Sequence, residues 1–217
     1  MSSVNVLVVF YSTYGHIYKL AQAVAEGASS VEGVTVRLAR FPETLSDEIL
    51  TKMHALEAKK QWADVPEVTH DDFKWADAIV FGSPTRFGNV AGQVKSYIDS
   101  LGGLWASNAL VGKLASAFTS SNTQHGGQET TIVCGFLPLF LHLGMLVVGL
   151  PYTFAGQFPV DEVSGGSPYG ASVVAGVWGA RQPSENELNA GRFQGKHVAT
   201  QAVRLGKVPV PEADKSN

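Results

Sequence analysis

The segment Ser12-Thr13-Tyr14-Gly15-His16-Ile17 joins two hydroxyls and a glycine to the beginning of an apolar 3.6-residue period. The free N–H groups of a helix start, with hydroxyls beside them and a glycine that lets the backbone approach closely, suit a phosphate dianion. The segment holds no Lys or Arg. Hydroxyls and amides alone can hold a mononucleotide phosphate, whereas nucleoside triphosphates use the lysine of the P-loop pattern, which is absent here, as is the G-x-G-x-x-G dinucleotide fingerprint. Taken alone, such a segment serves equally well to cap a helix.

Two further segments share this character. Ser83-Pro84-Thr85-Arg86-Phe87-Gly88-Asn89 puts a cation, an aromatic ring and turn formers directly after an apolar run, where a planar heteroaromatic ring can rest. Ser120-Ser121-Asn122-Thr123-Gln124-His125-Gly126-Gly127 again offers hydroxyls, amides and close backbone approach. Each by itself also reads as an ordinary polar surface turn.

The elements around these segments bring them together. Val6-Leu7-Val8-Val9-Phe10 is a continuous apolar run of the kind that forms a strand buried on both faces. Ile17, Leu20, Ala21, Val24 and Ala28 then recur at helical spacing, closed by Gly27 and Gly33. Further strands are predicted at residues 34–38, 78–81 and 114–118, with a helix at about 90–101 and a polar loop at 119–127. Ser184 and Glu187 form a capping-box pattern ahead of a last helix with Leu188, Gly191, Gly195, Val198, Ala202 and Leu205 on one face. Alternation of this kind predicts an α/β fold, a doubly wound parallel five-stranded sheet in the order 2-1-3-4-5. Ligands of such sheets lie beyond the carboxyl ends of the strands, where the three polar segments converge.

Residues 132–151 hold no Asp, Glu, Lys or Arg over about the length of a membrane span. Internal Pro138, Gly135, Gly144 and Gly149 favour instead a buried helix ended by Gly144 and a fifth strand at Met145-Leu146-Val147-Val148, with no transmembrane segment. Two stretches exceed the minimal fold. Residues 44–75 carry an amphipathic run with Ile49, Met53 and Leu56 on one face, and residues 150–183 are rich in Gly, Pro and Ser. Residues 1–206 read as one domain and 207–217 as a flexible tail.

Composition removes several function classes. A net charge of −3 with scattered Lys and Arg gives no field to gather nucleic acid. The single cysteine, Cys134, excludes an intrachain disulfide framework and a cysteine zinc site, and is read as a small buried apolar residue; no metal is expected. With no cationic leader and no lipidation motif, a cytoplasmic protein is expected. The strand ends Phe10-Tyr11-Ser12 and Phe81-Gly82-Ser83 lack the carboxylates of a phosphoryl receiver, and no G-x-S-x-G elbow supports an esterase.

Five blocks, Ser12-Thr13-Tyr14-Gly15-His16-Ile17, Pro84-Thr85-Arg86-Phe87-Gly88-Asn89, Gly102-Gly103-Leu104-Trp105, His125-Gly126-Gly127-Gln128-Glu129 and Pro168-Tyr169-Gly170-Ala171, resemble in order the signature blocks of WrbA-like flavoproteins. The resemblance implies a flavodoxin-like fold, bound FMN, two-electron reduction of quinones by NADH or NADPH through ping-pong hydride transfer, and a homotetramer, a dimer of dimers, with sites near subunit interfaces. By the same resemblance Ser12 to Ile17 hold the phosphate, Thr85, Arg86 and Phe87 contact the flavin ring, and residues 120–127 form the third flavin loop. Tyr14 matches a nicotinamide-nucleotide contact, Trp105 a substrate-pocket residue, and His142 a histidine that contacts flavin. Phe87 with Trp105 would wall a flat acceptor pocket, although Trp105 reads equally as an interface residue, and His142 by itself reads as a core histidine. Arg86 would face the reduced flavin or the donor's pyrophosphate. This sequence has Asn122 where glycine is common, and Leu143 where a second histidine often follows the first. The neighbouring reading is a flavodoxin-type electron carrier, or an FMN-binding scaffold with little turnover.

Overall fold

The computed structural model describes residues 3–206, so the expected tail at 207–217 lies outside the described residues. Four long parallel strands, β1 (Val4–Phe10), β2 (Val34–Arg40), β3 (Ala78–Pro84) and β4 (Leu114–Ser121), and the short β5 (Leu146–Val147) lie in the order β2-β1-β3-β4-β5. Strands β3 and β4 are buried along their whole length. Alternate side chains of β1 therefore feed two separate apolar layers. Val6, Val8 and Phe10 face α1 (His16–Ser29) and α9 (Glu185–Leu205), while Leu7, Val9 and Tyr11 join the layer that holds Phe73, Val94, Ile98 and Phe140. Those residues belong to α4 (His70–Trp75), α5 (Gly92–Asp99) and α8 (Leu137–His142).

The expected order is observed, but the edge of the sheet differs. A sixth strand, β6 (Ser172–Val174), pairs with Thr119 to Ser121 of β4, while β5 pairs only with Leu114 and Ala115. The fifth position is thus one strand cut in two by residues 148–171. The cut falls at Gly149, where a Cβ would lie 2.3 Å from the carbonyl oxygen of Pro168, so the outgoing and returning arms of the insertion cross there. With so little pairing, Leu146 and Val147 stay 48 % and 44 % exposed rather than buried. Conversely Ser120 and Ser121, expected in a loop, are strand residues because β6 supplies backbone partners from far along the chain.

The apolar stretch 132–142 is a π-helical turn (Thr131–Phe136) running into α8, buried only on the side of Ile132, Phe136 and Phe140. Cys134 lies on its outer side and is exposed, contrary to expectation. Among the described residues no helix is long and apolar enough to cross a membrane. The amphipathic reading of 44–75 also changes. It forms α2 (Asp47–Lys52), α3 (Leu56–Lys59) and α4, and Leu50 is buried while Ile49 is 44 % exposed.

The capping box at Ser184 and Glu187 forms as expected, and α9 lies directly on α1. A Cβ at Gly195 would sit 2.0 Å from the carbonyl oxygen of Val24, so backbone meets backbone with no side chain able to turn aside. Replacing Gly195 with Ala should therefore destabilise the fold by about 1–3 kcal/mol through overpacking, a loss larger than the ~1 kcal/mol gain in helix propensity. Urea unfolding of the Gly195→Ala protein checks it, and unchanged stability would mean the helices can separate freely.

Candidate functional site

The strand order reverses at β1: β2 lies to one side of it and β3 to the other, and the loops after β1 and β3 leave towards opposite faces of the sheet. That divergence opens a crevice at the carboxyl ends, the place where sheets of this order, flavodoxin being a standing instance, take ligands. Gly15 is the N-cap of α1 at φ +100°, a conformation that favours glycine, and its N–H donates to Ser12 Oγ at 3.1 Å. Among the described residues the backbone N–H groups of Thr13, Tyr14, His16 and Ile17 have no acceptor in the chain. The hydroxyls, by contrast, are engaged within the protein. Ser12 Oγ accepts from Gly15, and Thr13 Oγ1 accepts from Arg86 Nη2 at 2.8 Å. The donors of this loop left without a partner among the described residues are thus its amides.

His16 Nε2 lies 2.9 Å from the carbonyl oxygen of Arg181. Tyr14 reaches outward, its hydroxyl donating to the Met53 carbonyl at 3.1 Å, which ties the loop to the first insertion.

The second loop is a tight hairpin. Arg86 N–H donates to Asn89 O at 2.8 Å and Asn89 N–H to Arg86 O at 3.0 Å, with Phe87 and Gly88 between them at φ +54° and +78°. Two positive φ values define the turn that Asn-Gly normally makes, so Phe87 is held in strained backbone with its ring fully exposed. The third loop is braced against the second. Thr85 N–H donates to Ser120 O at 2.8 Å, and Thr131 Oγ1 donates to Thr85 Oγ1 at 2.7 Å.

Together these segments enclose a cavity of about 420 Å³. Ser12, Thr13, Tyr14, His16, Ile17, Pro84, Thr85, Arg86, Phe87, Gly88, Ser120, Ser121, Asn122, Thr123 and Gly127 line it. Arg86 is the one Lys or Arg among the described lining residues, and no Asp or Glu lines it. Gly15 and Asn89 shape their turns from behind, and Gln124, His125 and Gly126 lie on the exposed side of the third loop. Trp105, on α6 (Gly102–Ala106), and His142, at the end of α8, do not join the cavity of their own chain. Both sit at the opposite, amino-terminal edge of the sheet, just before β4 and β5 begin, and both are exposed.

Met53, Ala175 and Gly179 complete the wall, and sequence reading missed them. Met53 arrives from the first insertion and the other two from the second, so only long-range folding places them. A local signal did exist in Gly176-Val177-Trp178-Gly179, where glycines bracket an aromatic. Trp178 has φ +57° and is 92 % exposed, making it a second strained aromatic beside Phe87.

The family model described as NADPH-dependent FMN reductase matches residues 4–159. The chain belongs to that family. Among its relatives, proteins named NAD(P)H dehydrogenase (quinone) from Syntrophobacter fumaroxidans and Geobacter sulfurreducens are 60 % and 56 % identical over 93 % of this chain and 98 % of their own length. One from Methanosarcina barkeri is 54 % identical over 93 % of the chain and 99 % of its length. A WrbA-like flavodoxin structure from Agrobacterium tumefaciens superposes with a TM-score of 0.64 at 26 % identity, covering 93 % of this chain and 99 % of that one. In this FMN reductase family member the glycine, hydroxyl and arginine positions read from sequence thus share one crevice.

Two outcomes test the site's construction. Burial, opposed by bonds to the carbonyls of Arg181 and Gly179, pushes the His16 pKa below its ordinary 6.5. The unfolded chain therefore takes up this proton first, so stability is complete above pH 6.5 and falls as pH drops from there towards the lower folded value. Thermal unfolding from pH 7.5 to 5 should show a shallower decline in His16→Gln, and an unchanged slope would contradict this. Phe87→Asn should stabilise the ligand-free protein by about 1 kcal/mol by relieving the turn, as read by its melting temperature.

Proposed function

We propose that the crevice holds FMN and that the chain reduces quinones to hydroquinones with NADH or NADPH in a ping-pong cycle. One observation carries the reading: among the described residues, four N–H groups without acceptors at the start of α1 stand beside a single guanidinium in a cavity that no Asp or Glu lines. Such a site fits a group with a phosphate at one end and a polar ring at the other. Bound there, FMN would supply two-electron hydride chemistry between the nicotinamide and the quinone.

The protein's part is to bind and orient. The amides of Thr13, Tyr14, His16 and Ile17 receive the phosphate. Arg86, tied by Nη2 to Thr13, would offer positive charge to the flavin or to the donor's pyrophosphate. Tyr14 and Phe87, half and fully exposed at the rim, flank the face on which donor and acceptor alternate. Shared use of that face gives a ping-pong order. The relatives' names, NAD(P)H dehydrogenase (quinone), support the same donor and acceptor classes.

A homotetramer, built as a dimer of dimers, accommodates Trp105 and His142. Both are exposed at the edge of the sheet away from their own crevice, from which they can meet another chain's site. Residues 1–206 act as one FMN-binding unit in a cytoplasmic protein.

The test is spectroscopic. Added FMN should bind saturably, anaerobic NADH or NADPH should bleach it, and benzoquinone should restore the colour in repeated turnovers. Absence of binding defeats the proposal, and bleaching without quinone-driven recovery leaves a carrier or scaffold instead. Replacing Ser12 and Thr13 together with Ala, which removes the supports of Gly15 and Arg86, should weaken FMN binding about thirtyfold at roughly 1 kcal/mol per hydrogen bond, with the fold intact.

A further inference from the structure

Ala175 and Gly179 line the crevice, but the tip of the turn between them stands outside it. The turn is pinched off at its base, where Arg181 N–H donates to Ala175 O at 2.8 Å, and is closed within by Gly179 N–H donating to Gly176 O at 3.1 Å. Both ends are fixed. Ala175 N–H donates to Ser121 O at 2.7 Å, the Arg181 guanidinium pairs with the buried Glu187, and Arg181 O lies 2.9 Å from His16 Nε2. A Cβ on Gly179 would lie 3.1 Å from His16 Cε1, so the turn sits directly against the start of α1. Val177 and Trp178 project from this held base, 73 % and 92 % exposed, with Trp178 at φ +57°. A large ring kept on strained backbone in water has a cost that nothing in its own chain offsets.

Its place on the rim narrows what it can meet. A crevice of about 420 Å³ is at the small end of ligand pockets, so with one mononucleotide inside, a donor is left with the rim. Two strained, exposed rings stand there on different elements: Phe87 on the hairpin after β3, and Trp178 on the turn against α1. A nicotinamide dinucleotide also carries two planar groups, held apart by a pyrophosphate, whereas a simple quinone has one. With the nicotinamide over the flavin, the adenine lies elsewhere along the rim. Charge on this side agrees with such a ligand. Lys19, one turn along α1 from His16, bonds by Nζ to the neutral Oε1 of Gln182 at 2.6 Å, so its charge is left for phosphate oxygens.

We propose that Trp178 is the adenine platform for the nicotinamide donor, its indole face stacking on the base while Lys19 attracts the adenosine phosphates. Base–aromatic stacking needs only an exposed, rigidly held ring, and the pinned turn supplies one. Trp178 is then a specificity-determining residue, favouring dinucleotide donors over a nicotinamide mononucleotide, with no part in hydride transfer. The proposal rests on the quinone reductase reading for its donor class. The rival role for the ring is a contact with a neighbouring chain, which would be indifferent to adenine.

The first test reads the ring itself. In FMN-loaded protein labelled with 5-fluorotryptophan, the ¹⁹F signal missing from Trp178→Phe belongs to Trp178, one of four tryptophans. ADP-ribose, which carries adenine and pyrophosphate but no nicotinamide, should shift that signal saturably, and ribose 5-phosphate should not. The second test reads specificity. In Trp178→Ala the ratio of kcat/KM for NADH to that for reduced nicotinamide mononucleotide should fall about tenfold, the loss of one base–aromatic stack, and Trp178→Phe should recover most of it. A Trp178 signal unmoved by ADP-ribose, or an unchanged ratio in Trp178→Ala, overturns the proposal. An unchanged ratio accompanied by loss of the oligomer would assign the ring to a neighbouring chain. If the wild-type protein reduced no quinone, the functional reading would fall, while the ADP-ribose titration on the protein as purified still decided whether Trp178 takes adenine.

Discussion

Backbone N–H groups without acceptors are costly wherever water is excluded, at about 1–3 kcal/mol for each group left unsatisfied. Thr13, Tyr14, His16 and Ile17 present four of them at one helix start, in a loop whose Ser12, Thr13 and His16 side chains are buried. The surrounding structure keeps that arrangement from collapsing onto itself. Gly15 takes the left-handed backbone that aims the amides in one direction, and Ser12 spends its oxygen on Gly15. Thr13 Oγ1 accepts from Arg86, so both neighbouring hydroxyl oxygens already have a donor.

Holding the second insertion against this loop requires a polar network inside the protein. Glu187, fully buried, accepts from the N–H groups of Gly165, Val174 and Ser184 and pairs with Arg181 Nη1 at 2.8 Å. Gln194 accepts from Ala171 N–H and donates to Ser116 Oγ and Ala117 O, while Gln128 bonds to Ser172. A buried pair of this kind is weak evidence for net stability. Its effect here is geometric: it fixes residues 163–181 so that Ala175 and Gly179 reach the crevice and Arg181 O meets His16.

The rim is built in the opposite manner. Phe87 and Trp178 stand on left-handed backbone with their rings in solvent, giving up local stability without burying apolar area in their own chain. Strain retained at a site edge is accounted for when a ligand or neighbouring chain covers the rings.

Much of this was legible in the sequence because it rests on local physics. Short continuous apolar runs at β1, β3 and β4 indicated strands buried on both faces, and their alternation with helical segments indicated a parallel sheet in the order 2-1-3-4-5. Turn and cap chemistry marked Gly15, the Phe87-Gly88 turn and the Ser184–Glu187 box, and five ordered blocks identified the family. Tertiary structure alone decided what depends on contacts between distant residues. The Ser120–Ser121 strand exists because β6 returns to pair with it, and the fifth strand is cut because the insertion crosses itself at Gly149. The same holds for the loop after β1. Its residue types indicated an anion site, but they could not say that the hydroxyls would be spent on Gly15 and Arg86 and the amides left free, since that depends on partners outside the loop as well as within it.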